Sequence, residues 1–237
     1  MKIEKCSSYL DLSAKANAII ISEIKKKPNL LLCAATGKSP TGTYHLLENE
    51  YQKQPKLFDH LRVIKLDEWG GIKMNNPSTC ETYLQSHLIR PLNIPETRYS
   101  GFSSNPEDPQ KECARIQNVL DKTGPIDLCI LGIGMNGHLA LNEPNRYLQP
   151  NTHVVKLSAK TLEHKMLTEN QETPAYGLTL GMADIMNSKM ILLLINGSNK
   201  TGIVKKFLTK KITSLVPASF LWLHPNVVCF IEKEVLG

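Results

Sequence analysis

The chain has 237 residues, 41% of them hydrophobic, with 28 basic against 22 acidic side chains and a formal charge of +6. An excess so small and dispersed excludes a nucleic-acid surface and suits a small anionic ligand, and no apolar run approaches the ~20 residues of a membrane span. Six cysteines without metal-ligand spacing and an amino terminus lacking a signal-peptide core lead us to expect a reducing, cytoplasmic setting and a single domain spanning 1–237.

In chain order, a helix is expected over roughly 9–27, its apolar face formed by Leu10, Leu12, Ala16, Ile19, Ile20 and Ile24 and its end marked by solvated lysines at 25–27. Apolar runs at 29–35, 61–66, 126–133, 190–195 and 227–232 have strand length and are apolar enough to be covered on both faces. Helix starts lie between them: Pro40 opens one, Ser78 with Glu81 forms a capping box for the next, and Asp108-Pro109 begins a third. Alternation of this kind predicts an α/β fold with a doubly wound, mostly parallel Rossmann-like sheet and helices on both faces, ligands binding beyond the carboxyl ends of the strands.

Four polar clusters follow predicted strands. Thr36, Gly37, Lys38, Ser39 and Thr41 come after the first run, Asp67 and Glu68 after the second, Gly134 to His138 after the third, and Gly197 to Lys200 after the fourth. All four therefore belong to one edge of the sheet. The first contains GKS, but the phosphate-loop pattern requires a glycine where Leu32 stands. A Gly-Ser-Thr turn running into a helix still aims backbone N–H groups and a positive dipole end at one point, which makes an anion site, and Lys200 can add a full charge. Gly132, Gly134 and Gly137 fit a dinucleotide fingerprint, yet Pro144 leaves no room for its long helix and no acid stands about 20 residues on.

Asp67 is the first polar residue after its strand, where a partly desolvated carboxylate has its pKa raised toward the range of a useful base; Glu68 is expected to point elsewhere. His138 and Glu143 lie five residues apart in a loop broken by Gly and Pro. An acid that orients an imidazole also stabilises its protonated form. Asp67 is thus the candidate for taking a proton from carbon, and His138 with Glu143 for moving protons on oxygen.

The motifs TGKSPTGTY, LDEWGG, GIGMNGHLALNEP, GSNK and PASFLWLHP, in this order, resemble the glucosamine-6-phosphate deaminase family of amino-sugar phosphate isomerases, with a spelling most similar to its galactosamine-6-phosphate branch. The resemblance implies a small-molecule amino-sugar phosphate substrate and conversion of an aldose to a ketose with loss of ammonia. It implies no metal or other cofactor, and it leaves open whether the chain is a monomer or a homo-oligomer. By motif, Asp67 corresponds to the C2 base, His138 to the ring-opening group with Glu143 orienting it, and Thr36 to Thr41 with Lys200 to the phosphate cradle.

Two departures stand out. Asn136 occupies a position where the deaminases carry an aspartate, and an amide cannot accept a proton as a carboxylate does. The segment at roughly 150–178, which the resemblance implies is a lid, lacks the arginine that reaches the phosphate in the deaminases, leaving His164 or Lys165 as candidate lid contacts. Two other functions compete: a 6-phosphogluconolactonase-type hydrolase, which needs no C2 base, and a sugar-phosphate sensor without turnover.

Overall fold

A computed structural model describes residues 1–237. Ten strands alternate with helices along the chain: β1 (Lys2–Cys6), β2 (Leu31–Ala34), β3 (Arg62–Lys65), β4 (Asp67–Gly70), β5 (Tyr99–Ser100), β6 (Leu128–Leu131), β7 (His153–Val155), β8 (Tyr176–Thr179), β9 (Met190–Ile195) and β10 (Val227–Glu232). Seven form a sheet in the order β1-β10-β9-β6-β2-β3-β5, every pair of neighbours parallel. Each residue of β2 and β6 is buried, as uniformly apolar central strands covered on both faces must be. No helix is long and apolar enough to cross a membrane.

The chain winds outward from β2 through β3 to β5, then returns and winds the other way through β6, β9 and β10. The switch point therefore falls between β2 and β6, where crossovers leave a crevice at the strand ends. The four strands that precede the polar clusters, β9-β6-β2-β3, are contiguous and span roughly 15 Å at ~4.8 Å per step.

Three features of the architecture were not read from the sequence. MKIEKC forms the edge strand β1 and Tyr99–Ser100 the opposite edge; both are short or half-polar and lack the apolar signal of the inner strands. LDEWGG is not a simple loop: β4 pairs antiparallel with β8, and β8 with β7, in a second sheet over the crevice. Beneath this sheet sits a separate core of Trp69, Ile72, Cys80, Leu141, Leu157 and Leu167.

Helix expectations need four corrections. α1 (Tyr9–Lys26) buries Leu12, Ala16, Ile20 and Ile24, but Leu10 is 76% exposed, because a residue two positions away lies on the opposite side of a helix. Lys27, just past its end, is not merely solvated but pairs with Asp127 at 2.6 Å. α2 (Lys38–Lys53) begins two residues before Pro40. α3 (Cys80–Leu84) is capped by Thr79, whose hydroxyl accepts from Thr82 N–H, not by Ser78; Glu81 turns inward to Lys65. The third expected start holds: Asp108 caps α4 (Pro109–Thr123) by accepting from the N–H groups of Gln110 and Lys111.

Candidate active site

A cavity of about 780 Å³ lies at the carboxyl ends of β9, β6, β2 and β3 and is lined by all four polar clusters. It brings together Thr36, Gly37, Lys38, Ser39, Thr41, Asp67, Asn136, His138, His164, Lys165 and Lys200. Glu143, buried and 8% exposed, stands behind His138.

The anion cradle is built at the start of α2. Gly37, at φ +101, turns the chain from β2 into the helix and caps it without a side-chain acceptor, leaving first-turn N–H groups facing the cavity. Of the expected phosphate contacts, Thr41 has another use. Its hydroxyl donates to Gly37 C=O at 3.0 Å and meets Tyr83 Oη at 2.7 Å, so it shapes the turn. Thr36 likewise donates to Cys80 Sγ at 3.3 Å. Ser39 Oγ donates to Asn196 Oδ1 at 2.6 Å, and Lys200 Nζ donates to Ser39 Oγ at 3.4 Å. Lys200 forms no salt bridge, and burial lowers its pKa to about 8. A half-buried ammonium beside free helix N–H groups is a site for an anion.

Sequence reading missed two tyrosines here. Tyr83 Oη donates to Gly37 C=O at 2.9 Å, while Tyr9 Oη donates to Lys38 C=O at 2.6 Å and accepts from Gly42 N–H at 2.7 Å. They clamp the first turn of α2 from α3 and α1. A tyrosine on an amphipathic helix carries no local mark distinguishing such a clamp from ordinary packing.

Asp67 and Glu68 diverge because successive strand residues face opposite sides. Asp67, with Trp69, faces the cavity; burial, with the charge of Glu68 adding to it, pushes its carboxyl up to about 7. Glu68 faces inward, accepting from Trp69 N–H and Cys80 N–H at 2.8 Å each and from Lys65 Nζ at 2.7 Å. Lys65 is fully buried and also reaches Glu81 at 2.7 Å and Phe102 C=O at 2.6 Å. This cluster braces β3, β4 and α3 behind the candidate base.

The second sheet brings a covering segment over the cavity. KTLEHKML is not one helix but two short ones, α5 (Ala159–Leu162) and α6 (Lys165–Thr168). His164 sits at their junction as the cap of α6, its Nδ1 accepting from Met166 N–H at 3.3 Å. Its ring packs 5.7 Å from Trp69 and turns Nε2 toward Gly37. Burial, then the nearby His138 and Lys200, lower its pKa to about 4, so it stands neutral as an N–H donor. Lys165 lines the same cavity but is exposed.

His138 follows β6 on the GMNG turn and stacks against Gly134, where a Cβ would lie 2.3 Å from Nε2. Its Nδ1 is 3.8 Å from Glu143 Oε2. Although burial opposes its charge, the nearby His138 and Thr161 and a bond from Ser158 N–H hold the Glu143 carboxyl at about 2. Asn136 Nδ2 donates to Glu143 Oε2 at 2.7 Å.

A doubly wound sheet with an anion cradle, a base poised near neutrality and a carboxylate-backed imidazole in one cavity defines a class of enzymes acting on small phosphorylated substrates. The chain belongs to the family described as glucosamine-6-phosphate isomerases/6-phosphogluconolactonase, whose model matches residues 8–229. It is 41% identical over 230 residues to the putative deaminase AgaI of Escherichia coli K12, covering 97% of this chain and 91% of that one. It is 36% identical over 236 residues to a glucosamine-6-phosphate deaminase of Clostridium botulinum, covering 99% and 97%. A solved structure of a monomeric glucosamine-6-phosphate deaminase superposes with a TM-score of 0.94 at 34% identity, over 99% and 98% of the two chains. The 6-phosphogluconolactonase of Trypanosoma brucei, at 20% identity, a TM-score of 0.80 and coverage of 99% and 97%, shares the fold.

Proposed function

We propose that this protein is an amino-sugar phosphate isomerase and deaminase, converting galactosamine 6-phosphate or its glucosamine epimer to a ketohexose 6-phosphate with release of ammonia. The observation that carries this reading is the placement of a raised-pKa carboxylate, Asp67, and an imidazole, His138, in one cavity with a cationic phosphate cradle.

In this reading the phosphate sits against the first turn of α2 and Lys200, with His164 as the lid contact and the segment around 150–178 as the lid. His138 takes the O1 proton of the cyclic sugar and returns it to O5 as the C1–O5 bond breaks. Asp67, ionised above about pH 7, takes the C2 proton as O1 gains one, giving an enolamine, and delivers it to C1 as the nitrogen gives up a proton. The resulting C2 imine adds water and loses ammonia. A lactonase has no step for a carbon base, so the environment of Asp67 favours the isomerase.

Incubation with each hexosamine 6-phosphate and measurement of ammonia tests the reading. Release from at least one epimer is the expected result; release from neither, together with hydrolysis of 6-phosphogluconolactone, overturns it.

A further inference from the structure

The acid–base pair behind the proposed ring opening has a gap in it. The 3.8 Å between His138 Nδ1 and Glu143 Oε2 is too long for a direct hydrogen bond. Asn136 does not fill that gap, because its Oδ1 accepts from the backbone N–H of His138 at 3.1 Å and its Nδ2 donates to Glu143 Oε2 and Ser158 Oγ at 2.7 and 3.2 Å. The group nearest the imidazole nitrogen is the hydroxyl of Thr161, with Oγ1 3.2 Å from Nδ1, on a helix of the covering segment. Thr161 is 4% exposed and was not among the residues singled out in the sequence.

We propose that Thr161 is a positioning residue whose hydroxyl holds the His138 imidazole and, through Ser158, ties it to the Glu143 carboxylate, so that the ring-opening group is complete only when the covering segment is seated. This rests on the isomerase reading above and names the contact that links its lid to its chemistry.

Donor and acceptor bookkeeping supports one arrangement. Ser158 Oγ accepts from Asn136 Nδ2 and from Thr161 N–H, so its single proton is donated to Thr161 Oγ1, at 3.1 Å. Thr161 then has one lone pair left for His138, and Ser158 N–H carries the link on to Glu143 Oε1 at 3.2 Å. The proposed link is made when Nδ1 of His138 carries the proton and donates it to Thr161. That tautomer leaves Nε2 with a free lone pair on the side of Gly134, a cavity-lining residue, ready to take the sugar O1 proton.

Thr161 is held by α5; Leu157 before that helix and Leu167 in α6 belong to the small core under the second sheet rather than to the main one. Lifting that segment removes both Thr161 and the Ser158 N–H that bonds Glu143 Oε1 at 3.2 Å. Ring opening is thereby confined to a covered cavity, which keeps the reactive open-chain aldehyde from escaping.

Two variants, Thr161→Val and Thr161→Ser, test the link. Val keeps the shape and deletes the hydroxyl; Ser keeps the hydroxyl. The expected result is a kcat about 10- to 100-fold lower for Val and within about 3-fold of wild type for Ser. Binding of 2-amino-2-deoxyhexitol 6-phosphate, an open-chain alcohol that needs no ring opening, should stay within about 2-fold for both, as uniform binding is untouched. A Val variant with wild-type kcat, a Ser variant no better than Val, or hexitol phosphate affinity falling in step with kcat would each overturn the proposal. Nitrogen-15 spectra of His138 in the free protein decide the matter without turnover. A wild-type Nδ1–H tautomer that becomes mixed in Thr161→Val supports the link, and an unchanged tautomer refutes it. Absence of ammonia release by the wild type bears on the isomerase reading alone.

Discussion

Replacing Asp67 by Asn should stop proton transfer at carbon and, at the same time, make the protein more stable at alkaline pH. Folding moves this 8% exposed carboxyl from an ordinary 3.8 to about 7, chiefly by burial and then by the charge of Glu68. The native state therefore holds the Asp67 proton more tightly than the unfolded chain does. Below pH 3.8 the group is neutral in both states and costs nothing. Between 3.8 and 7 the unfolded chain ionises first, and stability falls as pH rises; above 7 the full cost applies. At about 1.4 kcal/mol for each pH unit of separation, that cost is about 4 kcal/mol. An uncharged Asn of nearly the same shape escapes it. For a chain of this length the difference corresponds to a rise in Tm of roughly 10 °C at pH 8. Denaturant or thermal melts of both proteins from pH 4 to 8 measure it. A gap that opens with rising pH is expected, alongside loss of C2-hydrogen exchange with solvent. A gap independent of pH would show that Asp67 is not held protonated by its surroundings.

The same group should impose an acid limb on kcat/KM near pH 7, with the rate falling about tenfold per unit below it; a limb near pH 4 would contradict the desolvated base. Lys200→Ala should raise KM by about 10- to 100-fold with a smaller change in kcat, and wild-type KM should rise above pH 8 as the ammonium loses its proton, both read from steady-state kinetics. Gly134→Ala places a Cβ 2.3 Å from His138 Nε2, so the ring must shift by about 1 Å, and kcat should fall about 100-fold while circular dichroism stays native. Lys65→Met leaves Glu68 buried without its cation and should lower stability by about 3 to 5 kcal/mol in urea melts, whereas Lys53→Met, at an exposed pair, should change it by less than 1.

Much of the site was legible because α/β chemistry is written at strand ends. An apolar run followed at once by Thr36-Gly37, by Asp67 or by Gly134 marks a place where the chain leaves the sheet with polar groups exposed, and parallel strands put all such places on one edge. That Glu68 points away from Asp67 was expected, but the alternation that turns them apart belongs to β4, a strand the sequence did not reveal. Leu10 shows the limit of the same reasoning. Its type fitted the apolar face of α1, but which arc of a helix is buried depends on what packs against it.

Residues that act across long sequence separations stayed hidden. Tyr9 clamps Lys38 from another helix, Lys65 on β3 finds Phe102 in the loop after β5, and Thr161 reaches His138 from α5, between β7 and β8 of a second sheet whose short, half-polar strands carry weak signals of their own. The amino-acid order alone determined the five apolar strands β2, β3, β6, β9 and β10, their parallel winding and the identity of the groups carrying charge and protons, because these depend on local hydrophobic runs and on what directly follows them. Only the tertiary structure decided that β9, β6, β2 and β3 are neighbours, that Asp67 is buried beside Glu68, and that a covering hydroxyl meets the imidazole. Those outcomes depend on which distant surfaces exclude water from each other, and no short stretch of sequence contains both surfaces.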